Sequence, residues 1–208
     1  MAARLLFLVT AVLALGFTPS FATAQPASLL NIEVPPAPAN LAVPQGNEVF
    51  LHGRAVGTQN YVCLPTNTGI RWVFTAPQAT LFVPVFGELQ QQVTTHFLSP
   101  NPAEAGIARP AWLQSFDSSQ VWGRAIASST DAAYVAPNSI PWLLVQAVGA
   151  AVGPSGGSLL SRTTYIQRLN TAGGVAPVTG CGQSSEVGAL ALVPYTTDYF
   201  FYRASRRR

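Results

Sequence analysis

From Asn47 to Arg203 the chain is a succession of short stretches with period-two alternation, broken by turn residues, and no part of it pairs helical periodicity with caps. In Glu48–Val56, Val49, Leu51, Gly53 and Ala55 fall on one face and Phe50, His52, Arg54 and Val56 on the other. Gly57 predicts a tight bend. Thr58–Leu64 follows, with Gln59, Tyr61 and Cys63 on one side. Further strands are expected at Arg71–Thr75, Thr80–Val85, Val93–Leu98, Ala111–Phe116, Gln120–Ala127, Ile140–Val148, Thr163–Asn170, Ala189–Val193 and Thr197–Arg203. Asp117-Ser118-Ser119 reads as a hairpin turn, and Ser99–Pro110, Gly149–Gly157 and Thr171–Gly188 as loops. About ten short strands with frequent turn signals predict an all-β domain, either an antiparallel β-sandwich or a small barrel.

The segments before the domain have a different character. Arg4, the apolar run Leu5–Phe17 and the small-x-small pattern Ala22-Thr23-Ala24 read as a cleaved secretory signal over residues 1–24, the run being too short to span a bilayer comfortably. Residues 25–46 carry Pro26, Pro35, Pro36, Pro38 and Pro44 and predict an extended leader or linker. The β domain is expected over 47–203, followed by an Arg-rich tail at 204–208.

Charge excludes some partners. Only 9% of residues are charged, and all eleven basic residues are arginines. Three of these end the chain, so the mature body without Arg206, Arg207 and Arg208 is close to neutral. Nucleic-acid binding needs a basic face with many phosphate contacts, and none is visible. Low charge suits either a closed β structure with a neutral polar surface or an apolar patch covered by self-association or by a surface. The two cysteines, Cys63 and Cys181, favour a disulfide in an oxidising compartment. A redox or metal pair would call for C-x-x-C spacing or a neighbouring histidine, and neither is present.

The strings FLHGRAVGTQNYVC (50–63), HFLSPNPAE (96–104), DSSQVWGRAIAS (117–128), IPWLLVQAVG (140–149), TTYIQRLNTAGGVAPVTGC (163–181) and VPYTTDYFFYR (193–203) resemble a family of exported bacterial and fungal proteins known only as a domain of unknown function. The resemblance covers nearly all of the mature chain. It implies secretion, a compact β domain and a paired Cys63–Cys181, and it brings no activity, substrate or catalytic residue.

The chemistry-bearing residues are few. Gly153-Pro154-Ser155-Gly156-Gly157 matches G-x-S-x-G, but both histidines, His52 and His96, precede it and the segment after it reads as a strand. A flexible loop is the better reading. His96 borders the loop that carries Glu104 and Arg109, which makes these three the candidate catalytic set of a secreted hydrolase. Glu104, Asp117 and Asp131 sit in loops, with no spacing that singles out a glycosidase pair. Among the four tryptophans, Trp112 beside Pro110 is the ligand-binding candidate; Arg162 and Arg168 flank the Tyr165 strand and read as outward arginines that suit an anionic ligand, Arg162 being the candidate, or equally an ordinary Glu or Asp partner. No phosphate loop, dinucleotide fingerprint or zinc spacing occurs, so no cofactor and no metal are expected. The favoured expectation is a secreted or periplasmic, disulfide-linked domain that binds a glycan, lipid or protein or forms part of an extracellular surface. A small outer-membrane barrel fits less well, because Gly, Pro and Arg interrupt most strands.

Overall fold

The computed structural model describes residues 32–86 and 89–205; the expected signal segment and the last three arginines lie outside the described residues. Eight strands follow one another: β1 (Asn47–Thr66), β2 (Gly69–Phe86), β3 (Leu89–Asn101), β4 (Ile107–Gln114), β5 (Gln120–Ser129), β6 (Trp142–Ala151), β7 (Thr163–Gly173) and β8 (Leu190–Ala204). Each pairs antiparallel with the next, and β1 pairs with β8, which closes the sheet into a barrel. Closure leaves no unpaired edge. The fold is therefore all-β and a barrel, and three of its strands, β1, β2 and β8, each join two of the expected segments.

Gly57 shows why. The chain does not bend there; β1 runs through it without a break, opposite Ala79 of β2. A Cβ at Gly57 would lie 2.1 Å from the Gln78 carbonyl oxygen and 2.5 Å from Ala79 Cα. The glycine serves close strand approach, not a turn. In the same way Pro194 does not end β8, which joins the two segments expected at Ala189–Val193 and Thr197–Arg203. The hairpin at Asp117-Ser118-Ser119 is present, with Ser118 at φ 56° and the Ser119 N–H donating to Asp117 Oδ1 at 2.8 Å.

Alternation sorts the side chains into two cores. The inner one gathers Ala55, Leu81, Val121, Val145, Ile166 and Phe201 together with Trp112 and Tyr199. The outer one lies on β6, β7 and β8, where Trp142, Leu144, Leu169, Phe200 and Tyr202 are covered by Ile32, Val34, Ala37, Leu41 and Val43 of the proline-rich segment. That segment is also tied by hydrogen bonds, from Gln167 Nε2 to the Leu41 carbonyl (2.7 Å) and from Asn40 Nδ2 to the Ser128 carbonyl (2.9 Å). A register shift between Val49 and Leu51 sends Val49 to the outer cluster and Leu51 to the inner one, so the single face read from Val49 to Ala55 divides at a bulge.

Cys63 on β1 and Cys181, between β7 and β8, form a disulfide with Cα atoms 5.5 Å apart. Cys63 N–H donates to the Ala189 carbonyl and Gly188 N–H to the Cys63 carbonyl, both at 2.9 Å, so the bridge sits in a backbone clasp. Among the described residues no helix is long and apolar enough to cross a membrane, which leaves β-barrels aside. Arg54, Gln78 and Arg124 are exposed on the outside while the inside is packed with apolar groups.

Candidate functional site

An eight-stranded barrel has an interior just wide enough to be filled by side chains or to hold one small ligand. Here it does both. One part is packed solid, and next to it lies a cavity of about 310 Å³. Gly123 on β5 has no side chain, since a Cβ there would meet Val145 Cγ1 at 2.4 Å and the Trp112 ring at 3.1 Å. Gly123 thus leaves room for the Trp112 indole, which lines the cavity.

The cavity floor is aromatic. His96 of β3 stacks on Trp112 of β4 with ring centroids 4.4 Å apart and an interplanar angle of 12°, and Tyr199 of β8 meets both rings edge-on. His96 is 3% exposed, and its Nδ1 lies 2.9 Å from the Ala111 carbonyl. A carbonyl only accepts, so Nδ1 carries the proton. Burial, helped by the nearby Arg168 charge and opposed by the Ala111 hydrogen bond, lowers the imidazole pKa to about 3. The ring is neutral at any physiological pH. Burial also raises the pKa of the Tyr195 and Tyr199 hydroxyls, so these phenols stay protonated.

The walls are mostly apolar: Phe74, Pro77, Leu98, Pro110, Leu143 and Val145. Phe74 is 46% exposed and Leu98 37%, and Ala125 beside them is exposed, which marks the open end. Besides His96, four polar residues interrupt this lining, and three of them are buried: Gln59, Tyr61 and Tyr199. Tyr61 donates its hydroxyl to the Gly174 carbonyl at 2.7 Å. The fourth, Arg168 of β7, is half-buried and donates through Nε (3.2 Å) and Nη2 (2.8 Å) to the Pro141 carbonyl. Several buried donors around the cavity have no partner: Gln59 Nε2, Trp112 Nε1 and the hydroxyls of Tyr195 and Tyr199. Such groups are costly when left unpaired in a folded interior.

The structure separates the residues grouped by sequence. Glu104 and Arg109 do meet, through a bidentate ion pair with both contacts at 2.8 Å, and Asn101 donates to the same carboxylate at 2.8 Å. The hydrogen bonds from Arg109 and Asn101 pull the Glu104 pKa down to about 2. This cluster fastens the β3–β4 connection. His96 is not part of it, since its ring points into the barrel against Trp112. Trp112 lines the cavity, whereas Arg162 is exposed in the short turn Leu160–Arg162 away from it. His52 lies on the outer surface, stacked on Phe200 and 3.1 Å from Asp198. Burial raises the Asp198 pKa, but hydrogen bonds from His52 and Asn170 outweigh it and leave the carboxyl below its usual range.

Asp117 is bound into a turn. Its Oδ1 accepts from Ser119 Oγ (2.6 Å) as well as the Ser119 N–H, and its Oδ2 accepts from the Leu159 N–H (2.8 Å). It thereby pins the Gly153–Gly157 loop region, in which Ser155 is exposed and no histidine is a neighbour by hydrogen bond. Asp131 caps its own turn through the Ala133 N–H. Among the described residues no group of three His, Cys, Asp or Glu side chains could hold a metal ion.

Sequence reading missed Gln59 and Tyr199 as site residues and the inward aim of Arg168. The signal for Tyr199 was present in the alternation of β8, where Tyr195, Thr197, Tyr199 and Phe201 share one face and are all buried. Comparison with curated proteins and with solved structures found no match. A family model matches residues 44–203, the whole barrel, and on that ground the chain belongs to the family described as "Protein of unknown function (DUF3455)".

Proposed function

We propose that the protein is an exported binding module whose ligand is a small, largely apolar molecule held inside the barrel. The observation that carries this reading is the cavity itself: about 310 Å³, apolar along its walls, open at the Phe74–Leu98 end and floored by aromatic rings with unpartnered donors. Its volume falls at the small end of the roughly 300–1,000 Å³ range of ligand pockets. Apolar walls with a few convergent polar groups are what such pockets have in common. Export to the periplasm or the exterior is supported by the apolar N-terminal run and by the disulfide.

The test is a titration with the neutral fluorophore N-phenyl-1-naphthylamine, whose emission rises in apolar surroundings. The protein should bind it saturably at about one equivalent. A125W, which places an indole at the exposed rim, should abolish the signal while leaving the unfolding temperature within a few degrees. An absence of saturable binding, or binding that A125W leaves unchanged, would refute the reading.

A further inference from the structure

Resting on that reading, we infer that the ligand is an apolar carboxylic acid, bound as its anion with the carboxylate on Arg168. Of the ionisable side chains lining the cavity, Arg168 is the only one that carries charge: the others are His96, Tyr61 and Tyr199. The imidazole is a neutral donor to Ala111 and the two phenols are protonated. No carboxylate lines the cavity. The three ion pairs among the described residues, His52–Asp198, Arg109–Glu104 and Arg203–Glu48, all leave Arg168 out. Its hydrogen bonds in the described structure go to one neutral carbonyl through Nε and Nη2, and Nη1 makes none.

A half-buried guanidinium without an anion is an unusual arrangement, because a desolvated charge normally has an opposite partner. Around it the unsatisfied polar atoms are all able to donate: the Tyr199 hydroxyl, the Trp112 indole N–H and the Gln59 amide, on residues 1%, 1% and 4% exposed. A site with one positive charge and several spare donors is complementary to a single anionic, acceptor-rich head. A carboxylate meets that description and pairs with a guanidinium through two parallel bonds. The apolar remainder of the lining disfavours a strongly hydrated dianion and matches an apolar tail. A dry apolar cavity of 150 Å³ holds a benzene ring, so twice that volume admits a bicyclic one.

The experiment compares two ligands of nearly the same shape, 2-naphthoate and its uncharged amide, 2-naphthamide, by calorimetric titration at pH 7 into the full mature chain. Naphthoate should bind at least tenfold more tightly. R168Q should reduce naphthoate to the affinity of naphthamide, and R168K, which keeps the charge but loses the planar fork, should fall between. Because Arg168 also braces the Pro141 carbonyl, Y199F provides a second arm that leaves the brace intact. It should weaken naphthoate several-fold and naphthamide little. Equal affinities for the two ligands, both abolished by A125W, would sink the carboxylate inference and leave the binding function standing. Failure of both ligands to bind would overturn both readings. A preference for naphthoate that survives in R168Q would also overturn the inference.

Discussion

Replacing His96 by Phe should change how stability depends on pH, and the size of the change follows from where the ring lies. In the folded protein the imidazole is sealed between Trp112 and Tyr199 and has a pKa of about 3, against an ordinary value of about 6.5. As pH falls below about 6.5 the unfolded chain takes up a proton that the folded chain refuses. The unfolded state is then favoured, and stability is lost steadily until about pH 3. Each unit is worth about 1.36 kcal/mol, so between pH 8 and pH 4.5 this one residue should remove about 2.7 kcal/mol. Glu104, whose pKa falls from 4.5 to about 2 on folding, loses its stabilisation mainly below about pH 4.5 and does so equally in both proteins, so it cancels from the comparison. Phe keeps the stack on Trp112 but leaves the Ala111 carbonyl without its donor, at a cost of about 1–3 kcal/mol. H96F should therefore be less stable than the parent at pH 8 and should equal or exceed it by pH 4.5. Urea unfolding with the disulfide intact, followed by tryptophan fluorescence at four or five pH values, measures both curves. Parallel curves with a constant gap would show that His96 is not held neutral by burial, and the reasoning would fail.

Reduction of Cys63–Cys181, or the double variant C63S/C181S, frees a separation of 118 residues, for which the chain-entropy treatment gives about 5 kcal/mol; calorimetry should show a fall in melting temperature well above 10 °C. G57A forces a methyl group onto the Gln78 carbonyl, so it should cost about 3 kcal/mol in urea unfolding, whereas an unchanged midpoint would mean that the strands can part there freely. D117A removes three hydrogen bonds that hold the turn and the Leu159 backbone, for about 2–3 kcal/mol, while S155A should alter neither stability nor naphthylamine binding by more than about 0.5 kcal/mol.

Much of the barrel was readable because its strands alternate. The split between Ala55 and Arg54, or between Ile166 and Tyr165, is visible as letters and holds in three dimensions. Two kinds of information were not visible. Glycine has one symbol and two uses, and close strand approach at Gly57 leaves the same mark in the sequence as a bend. On β7 both faces are covered: Gln167 and Leu169 lie under the proline-rich segment while Ile166 and Arg168 face inward. With neither face bare, hydropathy could not say that Arg168 pointed into the barrel. His96 was obscured for a related reason. A histidine near prolines and asparagines suggests a strand end, but β3 continues to Asn101 and places the ring deep inside. Trp112 was singled out by its proline neighbour and does line the cavity, yet the partners that give it a role, Arg168 and Tyr199, are brought to it by pairings across the barrel.

The seam between the first and last strands has a consequence for the chain's early life. Asn47 pairs with Ala204, so β1 finds its second neighbour only when the final strand has been made. Until then the growing sheet has two bare edges and its interior lies open to water. Contacts this distant in sequence form slowly. The ring therefore cannot shut, and the inner core cannot be fully sealed, before the last strand has been laid against the first.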